Sequence, residues 1–329
     1  MMSMLAGIDI GGTKCAVSLG VMEGDQIEII GKRRFETLTE PMDNVARLLN
    51  ELEELLAEAA QAGHGQLTAI GISCGGPLDC RAGLILSPPN LPNWSCVDIV
   101  SPFREYFAVP VGLQNDANAC ALAEWKWGAG QGSRNMIFLT FGTGMGAGLI
   151  LDGRLYSGAS DMAGEVGHIR LEPIGPVGYG KAGSFEGFCS GGGIADLGRI
   201  TAERMFAEGK TPSFCMEPKA ISTITAERIG EAAKRGEADA IAIFQTVACK
   251  LGKGLALLVD ILNPDCIVIG SIYGRQQALL EPLMLAELRR EALPHALSVC
   301  RIVPAGLQER VGDYAGLSVA LNQLTIKVS

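Results

Sequence analysis

Three short segments carry residue types that could handle an anion or move a proton. In the first, the apolar run Leu5 to Ile10 ends in Asp9-Ile10-Gly11-Gly12-Thr13-Lys14. Two glycines without Cβ atoms let the N–H groups of a turn converge on an anion, and Thr13 adds a hydroxyl donor. Asp9, at the strand end, is placed to hold Mg²⁺ directly or through water. The same string also suits an ordinary hairpin turn. A second glycine turn, Gly142-Thr143-Gly144-Met145-Gly146-Ala147-Gly148, repeats the chemistry. Two such turns could clamp one triphosphate from both sides of a cleft. In the third segment, Asn115-Asp116-Ala117-Asn118, a carboxylate stands where a strand gives way to a helix. There it could accept a proton from a hydroxyl during phosphoryl transfer, or Asp116 or Asn115 could simply cap the helix.

Two competing nucleotide motifs fail on context. Gly209-Lys210-Thr211 resembles the end of a P-loop, but Arg204 stands where the leading glycine belongs. Gly142 to Ala147 fits the string G-x-G-x-x-A, yet a dinucleotide turn must open a helix, and here a strand pattern continues through Leu149-Ile150-Leu151. A further cluster, Glu165-Val166-Gly167-His168, spaces a carboxylate and an imidazole so that one helical turn or tight bend aims both the same way.

The elements that must position these groups follow from periodicity. Leu5 to Ile10, Cys15 to Leu19 and residues 26–36 read as strands. Val45, Leu48, Leu49, Leu52, Leu55, Leu56 and Ala59 recur at helical spacing and end near Gly63. Strands follow at 68–73 and 111–113, with a proline-rich loop over 87–94 and an Ala-rich helix after Asp116. Met136 to Phe141, the second glycine turn and Ala147 to Leu151 then repeat the strand–turn–strand unit, which suggests internal duplication. Helical patterns run from about 223 to 262, followed by strands at 266–269 and 301–303 and a last helix from about Tyr314. Alternating strands and helices imply an α/β fold.

Composition narrows the class. A chain of 329 residues exceeds the usual size of one core, and 48% apolar with 19% charged residues excludes a disordered chain. A net charge of −9 argues against a broad nucleic-acid or anionic-membrane surface. No uninterrupted apolar run approaches the ~20 residues of a membrane helix. The N-terminus lacks the basic region and cleavage site of a signal peptide. Ten cysteines without C-x-x-C spacing fit free thiols in a reducing cytoplasm.

Taken in order, the motifs resemble the ROK family of sugar kinases and repressors, within the actin-like ATPase superfamily. The matching pieces are Asp9 to Thr13, Gly75-Gly76-Pro77-Leu78-Asp79, Asn90-Leu91, Asn115 to Asn118, Gly142 to Gly146, Gly164 to His168, Ile267 to Gly270 and Gly312 to Gly316. The resemblance implies a two-lobed, ribonuclease H-like α/β fold with duplicated domains. One lobe would span 1–117 plus the C-terminal helix 306–329, the other 118–305. It implies ATP-dependent phosphorylation of a hexose or hexose derivative, with ATP and Mg²⁺ in the cleft and the sugar deeper, next to Asp116. By position Asp116 matches the catalytic base. Asp9, Gly11, Gly12, Thr13 and Lys14 match the first phosphate turn, with Asp9 on the Mg²⁺ of the nucleotide, and Gly142, Thr143, Gly144 and Gly146 match the second. Asn90, Asn115, Glu165, His168 and Glu186 match sugar-holding positions. Gly270 matches an adenosine-side glycine pair whose second member here is Ser271.

One departure concerns zinc. The family usually follows its E-x-G-H with three thiolates that hold a structural zinc; here Val177, Tyr179 and Ser184 stand at those places, so no structural zinc is expected. Packing from 177–186, Tyr179 included, must then fix His168. The resemblance further implies a homodimer, without nucleic-acid or membrane partners. Two alternatives are a sugar-sensing regulator, whose helix-turn-helix would precede the first glycine turn, and a degenerate sugar-binding protein without catalysis. The start of that turn at Asp9 and the retention of Asp116 favour the kinase.

Overall fold

The computed structural model describes residues 3–326. In chain order the first elements are β1 (Met4–Ile10), β2 (Lys14–Glu23), β3 (Gln26–Glu36), α1 (Pro41–Gln61) and β4 (Leu67–Cys74). Next come β5 (Leu78–Asp79), β6 (Leu84–Leu86), β7 (Ser95–Asp98), α2 (Ser101–Phe107), β8 (Val111–Asn115) and α3 (Asp116–Trp127). Then follow β9 (Met136–Phe141), β10 (Met145–Leu151), β11 (Arg154–Tyr156), β12 (Val177–Gly178), β13 (Lys181–Ala182), α4 (Phe185–Phe188) and α5 (Gly191–Ala207). The chain closes with α6 (Ala226–Lys234), α7 (Ala238–Leu262), β14 (Cys266–Ile269), α8 (Ile272–Arg275), α9 (Gln277–Glu291), α10 (Pro294–Leu297), β15 (Arg301–Pro304) and α11 (Val311–Ile326).

Two five-stranded sheets share one plan. The first has the order β3-β2-β1-β4-β8, the second β11-β10-β9-β14-β15. In the first, β1, β2 and β3 are antiparallel neighbours while β1, β4 and β8 run parallel. In the second, β10 and β11 are antiparallel while β9, β14 and β15 run parallel. The duplication expected from the two glycine turns is therefore a duplication of topology. Each turn joins the first two strands of its sheet.

The chain forms two compact units. The first holds the described residues up to Ser133, Gly148–Ala163, and those from Glu309 onward; the second holds Arg134–Ala147 and Gly164–Gln308. These limits differ from the expected 1–117 with 306–329 against 118–305. The reason is α3, which lies against α11: buried Ser318 donates from its hydroxyl to the Ala119 carbonyl at 2.9 Å. Residues 1, 2 and 327–329 of the expected spans lie outside the described residues.

In the first unit, alternation along β1 sends Ala6, Ile8 and Ile10 to a core shared with Val45, Leu48, Leu52 and Leu55 of α1. The opposite face is a row of glycines. Gly7, Gly71 and Gly112 are register partners on β1, β4 and β8. A Cβ on Gly71 would stand 2.1 Å from the Gly316 carbonyl oxygen and 2.2 Å from the Ala320 nitrogen. The missing side chains make the groove in which α11 lies directly on the sheet backbone.

In the second unit α7 is the central helix. It is long and apolar enough to cross a membrane by length and composition, although no uninterrupted apolar run in it is of that length. Of its most apolar stretch, 56% is buried. Lys250 and Lys253 on it pair with Glu172 at 2.5 and 2.8 Å. These two charges interrupt the apolar run in the sequence.

Candidate active site

The first unit gathers one group of the expected residues. Behind the turn at Gly11–Thr13 the backbone is well tied. The Gly11 N–H donates to the Lys14 carbonyl (3.1 Å), the Gly11 carbonyl accepts from the Thr37 hydroxyl (2.6 Å), and the Thr37 N–H donates to the Thr13 carbonyl (3.0 Å). The N–H groups of Gly12 and Thr13 have no acceptor among the described residues, so they form a pair of donors available to an anion. Exposed Lys14 opens β2 beside them. The Asn90 loop lies on this turn, because a Cβ on Gly12 would stand 2.4 Å from the Asn90 carbonyl oxygen.

The strand-to-helix step at β8 and α3 is built by two side chains. Asn115 is the N-cap, with extended backbone (φ −68°, ψ 160°), and its Oδ1 accepts from the Asn118 N–H at 2.7 Å. Asp116 is the first helical residue, and its Oδ1 accepts from the Ala117 N–H at 2.8 Å. The capping role thus belongs to Asn115, which leaves Asp116 with a second carboxylate oxygen for other work.

The charge of Asp116 acts on Asp9. Asp116 is exposed at the surface, yet the protein mass around it displaces water and pushes its carboxyl above its ordinary value, against the hydrogen bond from Ala117. Asp9 is raised to about 6, first by burial and then by the Asp116 charge, with Arg34 and Lys32 opposing. A carboxylate disfavoured by burial and by a neighbouring charge is relieved by a cation, so Asp9 could help hold a Mg²⁺ that is mainly carried by other oxygens.

The second unit gathers the rest. In the turn between β9 and β10 the Gly142 N–H donates to the Gly144 carbonyl (3.2 Å) and the Gly146 N–H to the Thr140 hydroxyl (2.8 Å). The Met145 N–H donates to Oε2 of Glu186 at 3.0 Å. The N–H groups of Thr143 and Gly144 have no acceptor among the described residues, an arrangement like that of the first turn. Gly270 follows β14, its N–H donating to the Leu139 carbonyl at 3.0 Å, and the neighbouring Ser271 side chain stands next to Gly142.

Glu165 and His168 flank a single 3₁₀ turn over Val166–His168, and both are exposed. The glycine between them is required by space. A Cβ on Gly167 would lie 2.1 Å from the Met145 carbonyl oxygen and 3.1 Å from Cβ of Glu186. The second glycine turn, the 165–168 turn and α4 therefore meet at Met145, Gly167 and Glu186.

The segment after the 3₁₀ turn is a hairpin, β12 with β13, closed by Tyr179 (φ 43°) and Gly180 (φ 75°). Tyr179 stands edge-on to His168 with ring centroids 5.6 Å apart. Nζ of Lys181 donates to the His168 carbonyl at 2.7 Å. Ser184 caps α4, accepting from the Gly187 N–H at 3.0 Å. Val177 and Ser184 take part in this hairpin and cap respectively.

Several residues of these surroundings carried no signal that was read from the sequence. Ser190 caps α5 and the Gly191 N–H donates to the Gly142 carbonyl at 2.7 Å, so a helix N-terminus adjoins the second turn. Its cue was available as Ser190-Gly191-Gly192-Gly193 before apolar Ile194. Thr140, Lys32 and Arg34 had no local cue, because only strand register brings them to the turns.

Comparison with known proteins identifies the family and the fold. The model of the ROK family matches residues 5–319. A glucokinase from Halalkalibacterium halodurans is 31% identical over 283 residues, covering 84% of this chain and 83% of its own. A xylose repressor from Caldicellulosiruptor bescii is 33% identical over 272 residues, covering 79% of this chain and 66% of its own. Among solved structures, a ROK family transcriptional regulator homologous to the E. coli MLC protein superposes with a TM-score of 0.83 at 26% identity, covering 99% of this chain and 81% of the other. A ROK family glucokinase from Streptomyces griseus, in complex with glucose and AMPPNP, superposes with a TM-score of 0.70 at 27% identity, covering 98% and 99%. Kinases and regulators thus both share the two-lobed α/β fold of the actin-like ATPases with this chain. With a family match along nearly its whole length and relatives above 30% identity over most of it, the chain belongs to the ROK family.

Proposed function

We propose that the chain is an ATP-dependent sugar kinase acting on a hexose or hexose derivative, with Asp116 as general base. The observation that carries the reading is Asp116 itself. It is an exposed carboxylate freed from capping by Asn115 and raised by desolvation, in the same unit as a glycine turn with two unused N–H donors. A regulator that only senses sugar has no need of such a base.

In this reading Asp116 takes the proton of the attacking hydroxyl as its oxygen bonds to the terminal phosphorus of ATP and the bond to the ADP oxygen breaks. The N–H pairs at Gly12–Thr13 and Thr143–Gly144 bind phosphate oxygens. Mg²⁺ at Asp9, when bound, neutralises phosphate charge. Asn90, Asn115, Glu165, His168 and Glu186 hold sugar hydroxyls, and Gly270 borders the adenosine. The similar glucokinases support the choice of a hexose.

The similar repressor and regulator favour a second reading, a sugar-binding regulator without turnover. A coupled ADP-release assay over a panel of hexoses and N-acetylated hexosamines separates the two. Sugar-dependent ADP release supports the kinase; saturable sugar binding without it overturns the kinase in favour of the regulator.

A further inference from the structure

The Glu186 carboxylate is tied to the second glycine turn rather than only to the surroundings of His168. Its Oε2 accepts the Met145 N–H at 3.0 Å. Gly144 accommodates this approach, since a Cβ there would lie 2.9 Å from that same oxygen. Gly144 has no positive φ, so a side chain there would act by pushing the carboxylate aside rather than by straining the backbone. Glu186 is in turn anchored by α4, whose cap at Ser184 fixes the first helical turn. It is further confined by Gly178, whose absent Cβ would stand 2.9 Å from the Glu186 carbonyl carbon.

The remaining turn bonds explain what this achieves. The Gly142, Met145 and Gly146 N–H groups are occupied by the Gly144 carbonyl, Glu186 and Thr140 respectively. Occupying Met145 from behind holds the turn in the shape that leaves the Thr143 and Gly144 N–H groups for an anion. Without the carboxylate, the Met145 N–H is itself a donor without a partner, and the turn can relax toward whichever acceptor it finds.

We propose that Glu186 is a positioning residue for the second glycine turn, so that nucleotide phosphate binding depends on a carboxylate that also serves the sugar. This rests on the kinase reading for the identity of the anion and for the contact of Glu186 with the sugar, but not for the bond between Glu186 and the turn. It predicts that sugar and nucleotide sites are coupled at one residue: a hydroxyl that engages Glu186 acts on the same carboxylate that shapes the turn.

The test uses the full chain with Glu186→Ala, Glu186→Gln and Gly144→Ala. The Gln variant keeps an oxygen acceptor for Met145. Gly144→Ala displaces the carboxylate without altering it. Binding of ATP with Mg²⁺ is measured by calorimetry without sugar. Hydrogen–deuterium exchange of the peptide spanning 141–147 is followed without any ligand. We expect Glu186→Ala to weaken ATP binding about tenfold or more and to speed exchange in that peptide, with exchange elsewhere unchanged; Gly144→Ala, which alters the phosphate turn itself, is read by exchange alone and should speed it too. Glu186→Gln should recover most of both. Unchanged exchange in Glu186→Ala overturns the proposal whatever the ligand. Equal ATP affinity in wild type and Glu186→Ala, with only the sugar KM raised, overturns it as well. Failure of the wild-type chain to bind ATP defeats the kinase reading instead, and exchange then judges the positioning role on its own.

Discussion

Asp9 and Arg34 point to the same face of the first sheet with Ala16 between them. Asp9 pairs with Ala16 across β1 and β2, and Ala16 pairs with Arg34 across β2 and β3. The small side chain lets a guanidinium on one outer strand act on a half-buried carboxylate two strands away. Lys32, one pair further along the same face, is held by an ion pair to Asp313 of α11. Asp9 is therefore an ionisable group whose charge is opposed by burial and Asp116 and only partly restored by Arg34 and Lys32.

The first prediction follows from that balance. Asp9 has a folded pKa of about 6 against 3.8 as a free side chain, so the folded state holds the proton more tightly. Its contribution to stability is full below 3.8 and is lost as pH rises through about 6. Asp9→Asn removes the penalty. Its melting temperature should exceed that of the wild type by several degrees at pH 7.5, with the excess shrinking to nothing near pH 4, in the absence of nucleotide and Mg²⁺. A pH-independent difference would refute the assignment of the shift to Asp9.

Asp116→Asn keeps the shape and an oxygen that can accept from Ala117, but not the base. Turnover should fall by roughly 10²–10⁴-fold with sugar binding largely kept. In the wild type, because desolvation raises the Asp116 carboxyl, the acid side of the kcat/KM profile should fall off at a pH above that of an ordinary carboxylate. Near-normal turnover in the variant ends Asp116's candidacy as the base.

Glu165→Ala and His168→Ala should raise the sugar KM far more than the ATP KM, since these side chains flank the 3₁₀ turn and Tyr179 stands against the His168 ring. Paired saturation curves in sugar and in ATP decide the matter. Equal movement of both constants means that these residues are not the sugar's ligands.

Ser271 has φ 49° and ψ −110°, a backbone better suited to glycine. Ser271→Gly relieves that strain at some cost in unfolded-chain entropy. The net gain should be about 1 kcal/mol, read as a higher denaturant midpoint at constant m-value. A lower midpoint would show that the serine side chain contributes contacts worth more than the strain.

How much of this was legible in the sequence depended on range. Short apolar runs ending in glycine marked β1, β9 and both turns, and the leucine spacing marked α1 nearly to its last residue, because those signals are local. The 3₁₀ bend at Glu165–His168 and the cap at Asn115 were likewise readable from neighbours three residues apart. What escaped was whatever register or packing assembles. The placement of α3 with α11 rests on the Ser318–Ala119 bond and moved the expected division of the chain. Arg34 beside Asp9 is a cross-strand relation, and Glu186 on Met145 bridges 41 positions. Helix α5 was passed over because its glycine-rich start reads as loop until Ser190 is recognised as a cap.

The glycine row under α11 has a consequence for the order of assembly. Every residue of the second unit precedes Glu309, whereas the first unit needs α11 over Gly7, Gly71 and Gly112. On the ribosome the second unit is complete in sequence while the first still presents an uncovered strip of sheet backbone. Nascent chains stalled with residue 308 just outside the exit tunnel should therefore resist protease across 164–308 and remain cleavable in the first 133 residues. The N-terminal portion of this protein, made first, is finished last.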